Sequence, residues 1–168
     1  KEDSWKPLAD WKPDAARQEA FEKEALALAK ECDEVIFIGG LNHEFDIEGR
    51  DRTDMKLPYG QDVLIEKLLE VKPDMTVVLY AGSPVEMPWA EKVENLIWCY
   101  YAGMEGGRAL AEVLFGKVNP SGKLAETMIR TLSDCPAHAI GTFGNTDVVK
   151  YKEEVMVGYR YYDTKEMP

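Results

Sequence analysis

At 168 residues the chain has the size of one ordinary domain, enough to bury about two-thirds of the surface its unfolded form exposes without help from disulfides. The 31 acidic against 20 basic residues leave a net charge of −11, which argues against a sequence-independent nucleic-acid binder, because neutralising phosphates needs Lys/Arg patches that are absent. No apolar run approaches the roughly 18 residues of a membrane span. There is no signal peptide with a basic start and apolar centre, and Cys32, Cys99 and Cys135 are too widely spaced for a disulfide framework or a zinc site.

Trp5, Pro7, Trp11 and Pro13 make residues 1–13 an extended lead-in, and residues 14–168 read as one α/β domain. From Asp14 the apolar positions Ala16, Ala20, Phe21, Ala25, Leu28 and Ala29 follow the helical period, which predicts a helix over 14–31. Cys32 beyond it, like Cys99, reads as a small packed hydrophobe. Val35-Ile36-Phe37-Ile38 predicts a buried strand, with Gly39-Gly40 turning the chain out of the sheet. After a charged loop, Pro58 and Gly60-Gln61-Asp62 open a second helix with Val63, Leu64, Leu68, Leu69 and Val71 on its apolar face, ended by Pro73. Met75 to Tyr80 is a second strand, followed by the turn Ala81-Gly82-Ser83-Pro84, a short helix near 88–93 and a third strand over 96–100. A third helix over 108–115 stops at Gly116, and Asn119-Pro120-Ser121-Gly122 turns into an expected fourth strand at 123–128. Beyond Arg130 the pattern fades into loops. Strands alternating with helices mean βαβ units, so the expected fold is a three-layer αβα sandwich with a mainly parallel sheet.

The densest charge lies at 44–54, where five carboxylates (Glu44, Asp46, Glu48, Asp51 and Asp54) and two arginines (Arg50 and Arg52) occupy eleven residues after the first strand. Loops at the carboxyl ends of parallel strands are where ligand chemistry collects, so this loop is the candidate site; a merely solvated mixed-charge loop is the plain alternative. Glu44, Asp46, Glu48 and Gly49 mimic the start of a calcium loop, but Met55 falls where a bidentate Glu belongs and Arg50 and Arg52 where oxygen ligands belong, so no metal is expected. No cofactor motif accompanies the loop: Gly103 to Gly107 follows neither phosphate-binding pattern, and helix packing accounts for its glycines. On an extended segment Asp46 and Glu48, two apart, would point the same way.

Glu48-Gly49-Arg50-Asp51-Arg52, Leu57-Pro58, Gln61-Asp62, Gly82-Ser83-Pro84-Val85-Glu86 with Trp89, the run Gly103 to Ala111, Asn119 to Leu124 and Val157 to Asp163 occur in an order that resembles the C-terminal α/β sandwich domain of glycoside hydrolase family 3, the β-glucosidases and β-xylosidases. The resemblance covers residues 33–163. It implies a retaining glycosidase whose barrel domain supplies an Asp nucleophile in a Ser-Asp-Trp type motif, and whose sandwich domain supplies the acid/base, here Glu48. No Ser-Asp-Trp occurs in this chain; Ser4-Trp5 and Ser133-Asp134 are not it. The chain is therefore read as a fragment of a larger enzyme acting on a β-linked glucoside or related sugar, of unassigned compartment. Asp51 and Arg52 are candidate sugar contacts, with an internal ion pair holding the loop's shape as the other role. His43 beside the loop is a candidate supporting group, and Tyr159, Tyr161 and Tyr162 suit either a sugar site or a domain junction. Phe45, Phe143 and Tyr161, left without a partner domain, could meet in a homodimer. The alternative from another class is a non-catalytic carbohydrate-binding or interaction module that keeps the fold without using Glu48.

Overall fold

The computed structural model describes residues 14–139, 141, 148 and 150–167. The expected lead-in over 1–13 and Phe143 lie outside the described residues.

Helix α1, Ala15–Glu31, starts where expected because the Asp14 carboxylate accepts from the backbone N–H groups of Ala16 and Arg17, two donors with no partner inside the helix. Its C-cap, Cys32, is exposed, so the thiol is not packed; the chain is leaving the helix there. Strand β1, Ile36–Gly40, is followed by a tight turn at Pro58–Gly60 and helix α2, Gln61–Val71. Strand β2, Thr76–Tyr80, strand β3, Asn95–Trp98, and helix α3, Gly106–Leu114, come next. The expected helix near 88–93 is a single 3-10 turn, Ala90–Lys92.

The three strands form one parallel sheet in the order β1-β2-β3, with Phe37 opposite Val77 and Val77 opposite Leu96. β2 is central and its Val77, Val78 and Leu79 are fully buried, which is why its sequence is apolar without alternation. Val77 and Leu79 join Ala29 of α1 and Ile65, Leu68 and Leu69 of α2 in one core with Met75, Val85 and Trp89. Burying these side chains at about 1.5–3 kcal/mol each is what orders the sheet against α1 and α2. On the opposite face β1 is open, Ile36 being 47% and Ile38 58% exposed. The fold is thus the expected α/β sandwich.

Four expectations are corrected. Residues 123–128 are not a fourth strand: the Ala125 N–H donates to the Tyr100 hydroxyl at 2.8 Å, so a side chain takes the place of a neighbouring strand. Val63 is half exposed and Ile65 takes its place in the core. The region beyond Arg130 is not all loop, since it holds helices α4, Pro136–Ala139, and α5, Tyr159–Lys165.

Gly39 and Gly40, finally, lie within β1 rather than beyond it. The Gln61 side-chain amide accepts from the Gly40 N–H at 2.8 Å and donates to the Gly40 carbonyl at 2.9 Å, pinning α2 to the strand end. A Cβ on Gly40 would overlap the Tyr80 carbonyl oxygen, and its φ of +130° is one that L side chains rarely adopt. Gly40→Ala is therefore expected to cost about 3 kcal/mol, read as a fall of about 1.5 M in the urea midpoint. An unchanged midpoint would mean that β1 can leave β2 at that point freely.

Candidate functional site

Because the strands are parallel, the loops after β1, β2 and β3 all leave the same edge of the sheet. The loop after β1 is built, not merely solvated. Leu41 N–H continues the pairing to the Tyr80 carbonyl at 2.8 Å, and the Asn42 carbonyl then accepts from the N–H groups of Phe45 and Asp46. Asn42 also closes an Asx turn, its Oδ1 accepting from the Glu44 N–H at 2.9 Å. Tyr59 donates its hydroxyl to Glu44 Oε2 at 2.5 Å and stacks edge-on against Phe45, with ring centres 5.2 Å apart. Burial, then the hydrogen bond to Glu44, pushes the Tyr59 phenol up. Lys56 N–H caps the other end through Asp54 Oδ1 at 3.0 Å.

Glu48 stands at the tip. Ile47 and Arg50 form an isolated antiparallel bridge around a turn, and Gly49 adopts φ +77°, the left-handed geometry that the third position of a type II turn demands. The motif thus needs a glycine right after the candidate acid because the chain reverses there. The expected common direction of Asp46 and Glu48 fails for the same reason: the segment is a turn, so Asp46 faces inward to the Tyr101 hydroxyl at 2.7 Å while Glu48 is exposed.

Arg52 secures the descending leg. Its Nη2 donates to Ser83 Oγ at 2.9 Å and to the Pro84 carbonyl at 2.7 Å, while Nη1 is buried and finds no partner among the described residues. Arg52 does hold the loop's shape, through neutral acceptors on the β2 turn; Asp51 is exposed and, among the described residues, makes no ion pair with it. Buried Met55 follows, its carbonyl accepting from the Glu86 N–H at 2.8 Å. The β2 turn is itself fixed by Trp89, completely buried, whose indole N–H donates to Asp62 Oδ1 at 2.8 Å. Desolvation raises the Asp62 carboxyl, and the Trp89 hydrogen bond partly offsets this.

A cleft of about 620 Å³ opens beside the descending leg, bordered by Arg50, Asp51, Arg52, Glu126, His138 and Tyr162. Burial raises the Glu126 carboxyl. A second cleft along the same leg reaches Phe45 and Pro58, and Glu48 borders neither. His43 is exposed at the loop's start. Of the three tyrosines near the C-terminus, Tyr161 and Tyr162 stack edge-on at 5.4 Å in α5, and Tyr162 reaches the cleft wall. Sequence reasoning missed Tyr101 and Glu126; the aromatic pair Tyr100-Tyr101, just beyond β3 on the loop edge, was the available signal for the first.

Residues 6–159 match the family profile described as "Glycosyl hydrolase family 3 C-terminal domain". A β-glucosidase from Bacteroides ovatus is 45% identical over 159 residues, 92% of this chain and 21% of that protein. The thermostable β-glucosidase B of Acetivibrio thermocellus is 50% identical over 142 residues, 84% of this chain and 19% of that protein. Among solved structures, the β-glucosidase of Kluyveromyces marxianus in complex with glucose superimposes with a TM-score of 0.84 at 37% identity, over 89% of this chain and 18% of that one. The chain therefore spans about a fifth of the length of the curated relatives it matches.

Proposed function

Because this chain belongs to glycoside hydrolase family 3 and is the C-terminal domain of its β-glucosidases, we propose that it supplies the general acid/base, Glu48, for hydrolysis of a β-linked glucoside by a retaining mechanism whose nucleophile sits on a barrel domain outside these residues. In the first step the nucleophile's carboxylate oxygen bonds to the anomeric carbon as the glycosidic C–O bond breaks, and Glu48 gives its proton to the departing oxygen. In the second, water attacks the same carbon, Glu48 takes the water's proton, and the nucleophile leaves as carboxylate. The two carboxyl groups must stand about 5–5.5 Å apart on opposite sides of that carbon, which one loop cannot arrange.

The observation that carries the assignment is the division of labour among the loop's carboxylates. Glu44 is bonded to Tyr59, Asp46 to Tyr101 and Asp54 to the Lys56 N–H, all in service of the loop. Glu48 is left exposed at the apex, on a turn whose two legs are tied down. Asp51 and Arg52 follow on the descending leg, with Asp51 free to meet a sugar hydroxyl at the cleft.

The test is chemical rescue. In an enzyme that unites this domain with its barrel, Glu48→Gly with added azide is expected to yield a glycosyl azide of retained β configuration, because a small anion needs no base to attack the glycosyl-enzyme. An inactive variant that gives no azide product, while the same change at Asp51 does, moves the role to Asp51.

A further inference from the structure

We infer that Tyr101 is a positioning residue for this reaction: by holding Asp46, its hydroxyl sets where the turn carrying Glu48 stands. The inference rests on the reading of Glu48 given above.

The geometry leads to it step by step. Among the described residues the turn from Ile47 to Arg50 has only local bonds of its own, the Arg50 N–H reaching the Ile47 carbonyl at 3.4 Å. Its orientation must therefore come from its two legs. The descending leg is tied to the β2 turn by Arg52 and Met55. On the ascending leg Asp46 lies two residues before Glu48, and among the described residues its side chain bonds to Tyr101, 55 residues away. That bond joins the loop after β1 to the loop after β3, so the position of Glu48 is referred to the frame of the whole sheet.

Two further features fit this role. Tyr101 follows Tyr100, whose φ of +50° lies in the left-handed region two residues beyond β3. A Cβ on Gly82 would come within 2.8 Å of the Tyr101 ring and 2.9 Å of Asp46 Oδ2, so the β2 turn passes beneath the pair with room only for glycine. Burial, then the hydrogen bond and charge of Asp46, push the Tyr101 phenol up to about 12, so the hydroxyl stays a donor over the range in which such an enzyme works. A hydrogen bond to an ionised carboxylate is shorter and stronger than one between neutral groups.

The experiment compares Tyr101→Phe, Asp46→Ala, Asp46→Asn and Glu48→Gln in the barrel-bearing enzyme, and follows amide hydrogen exchange at Phe45, Asp46 and Arg50. Tyr101→Phe keeps the ring and its packing. It is expected to lower kcat about 10- to 100-fold on a glucoside with a poor leaving group, with KM nearly constant and a smaller loss on a good leaving group, as expected for a misplaced acid. Asp46→Ala should match it, the double variant should be no worse than either single one, and Asp46→Asn, which keeps an acceptor oxygen, should recover most of the loss. Exchange at the three amides should quicken in Tyr101→Phe and Asp46→Ala. Parental kinetics and exchange in Tyr101→Phe, beside an inactive Glu48→Gln, overturn the positioning role and leave the acid/base reading standing. Quickened exchange beside a Glu48→Gln variant of parental leaving-group dependence overturns the acid/base reading, and with it any catalytic meaning of the Asp46–Tyr101 bond.

Discussion

Glu48→Ala, made in an enzyme that carries this domain together with its barrel, is expected to lower kcat/KM on an alkyl or disaccharide substrate by about 10²- to 10⁴-fold, the usual worth of a positioned proton donor. The loss should depend on the leaving group. A dinitrophenolate departs without protonation, so the first step on a dinitrophenyl glucoside should run near its parental rate. The second step still needs a base to activate water, and that base is gone. The glycosyl-enzyme therefore accumulates: kcat falls, KM falls with it, and a burst of phenolate appears before a slow steady state. Stopped-flow absorbance measures all three. Equal loss of kcat/KM on both substrates, without a burst, would remove Glu48 from the proton path. The prediction is tied to geometry as well as to residue type, because Glu48 stands exposed at the apex of a glycine-requiring turn where, among the described residues, its carboxyl makes no bond to the loop. Thermal stability should accordingly stay within about 0.5 kcal/mol of the parent, as for other exposed substitutions, and this separates a chemical defect from a folding one.

The parts of the fold that could be read from the sequence are those whose burial is two-sided or periodic over several turns. β2 is apolar throughout because both its faces are covered, and α1 announces itself by a cap and seventeen residues of helical spacing. The segment at 123–128 misled because a turn signal before it says where a strand could start, not whether a neighbour is there to pair with. The Tyr100 hydroxyl that takes the Ala125 N–H comes from 25 residues earlier in the chain. α5 went unread because seven residues make too few turns to display a period, and its alternating tyrosines imitate a strand. The same distinction governs the site. Charge density, a local signal, marked the loop after β1, while the turn at Gly49 went unread because the segment reads as extended. That Asp46 serves Tyr101 and that Arg52 serves Ser83 and Pro84 depends on contacts spanning 31 to 55 residues, formed only once three strands are in register.

The 168-residue chain by itself is expected to fold and to leave a nitrophenyl β-glucoside unhydrolysed. Folding follows from the core: Trp89, Ile65, Met75, Leu79, Val77 and Val85 are completely buried in one cluster with α1 and α2 packed over the sheet, and the interior needs no barrel to close it. Catalysis is a different matter. Double displacement needs a nucleophile across the anomeric carbon, and the loop's other carboxylates are on its own side, three of them already hydrogen-bonded, to Lys56, Tyr59 and Tyr101. Glu48 is exposed, and among the described residues no wall excludes water from it or holds a sugar ring against it, so both the orientation and the dry surroundings that make a carboxylic acid an effective proton donor are lacking. Incubation at high protein concentration should release nitrophenolate at the buffer rate, while circular dichroism and a cooperative urea transition report a folded α/β domain. Turnover that persists through repurification and vanishes in Glu48→Gln would place a complete site within these residues, with its nucleophile among the carboxylates of the same domain. Adding a separately prepared barrel that carries the missing Asp should restore turnover in proportion to the complex formed, since the docking of the two domains is what sets the separation of the two carboxyl groups.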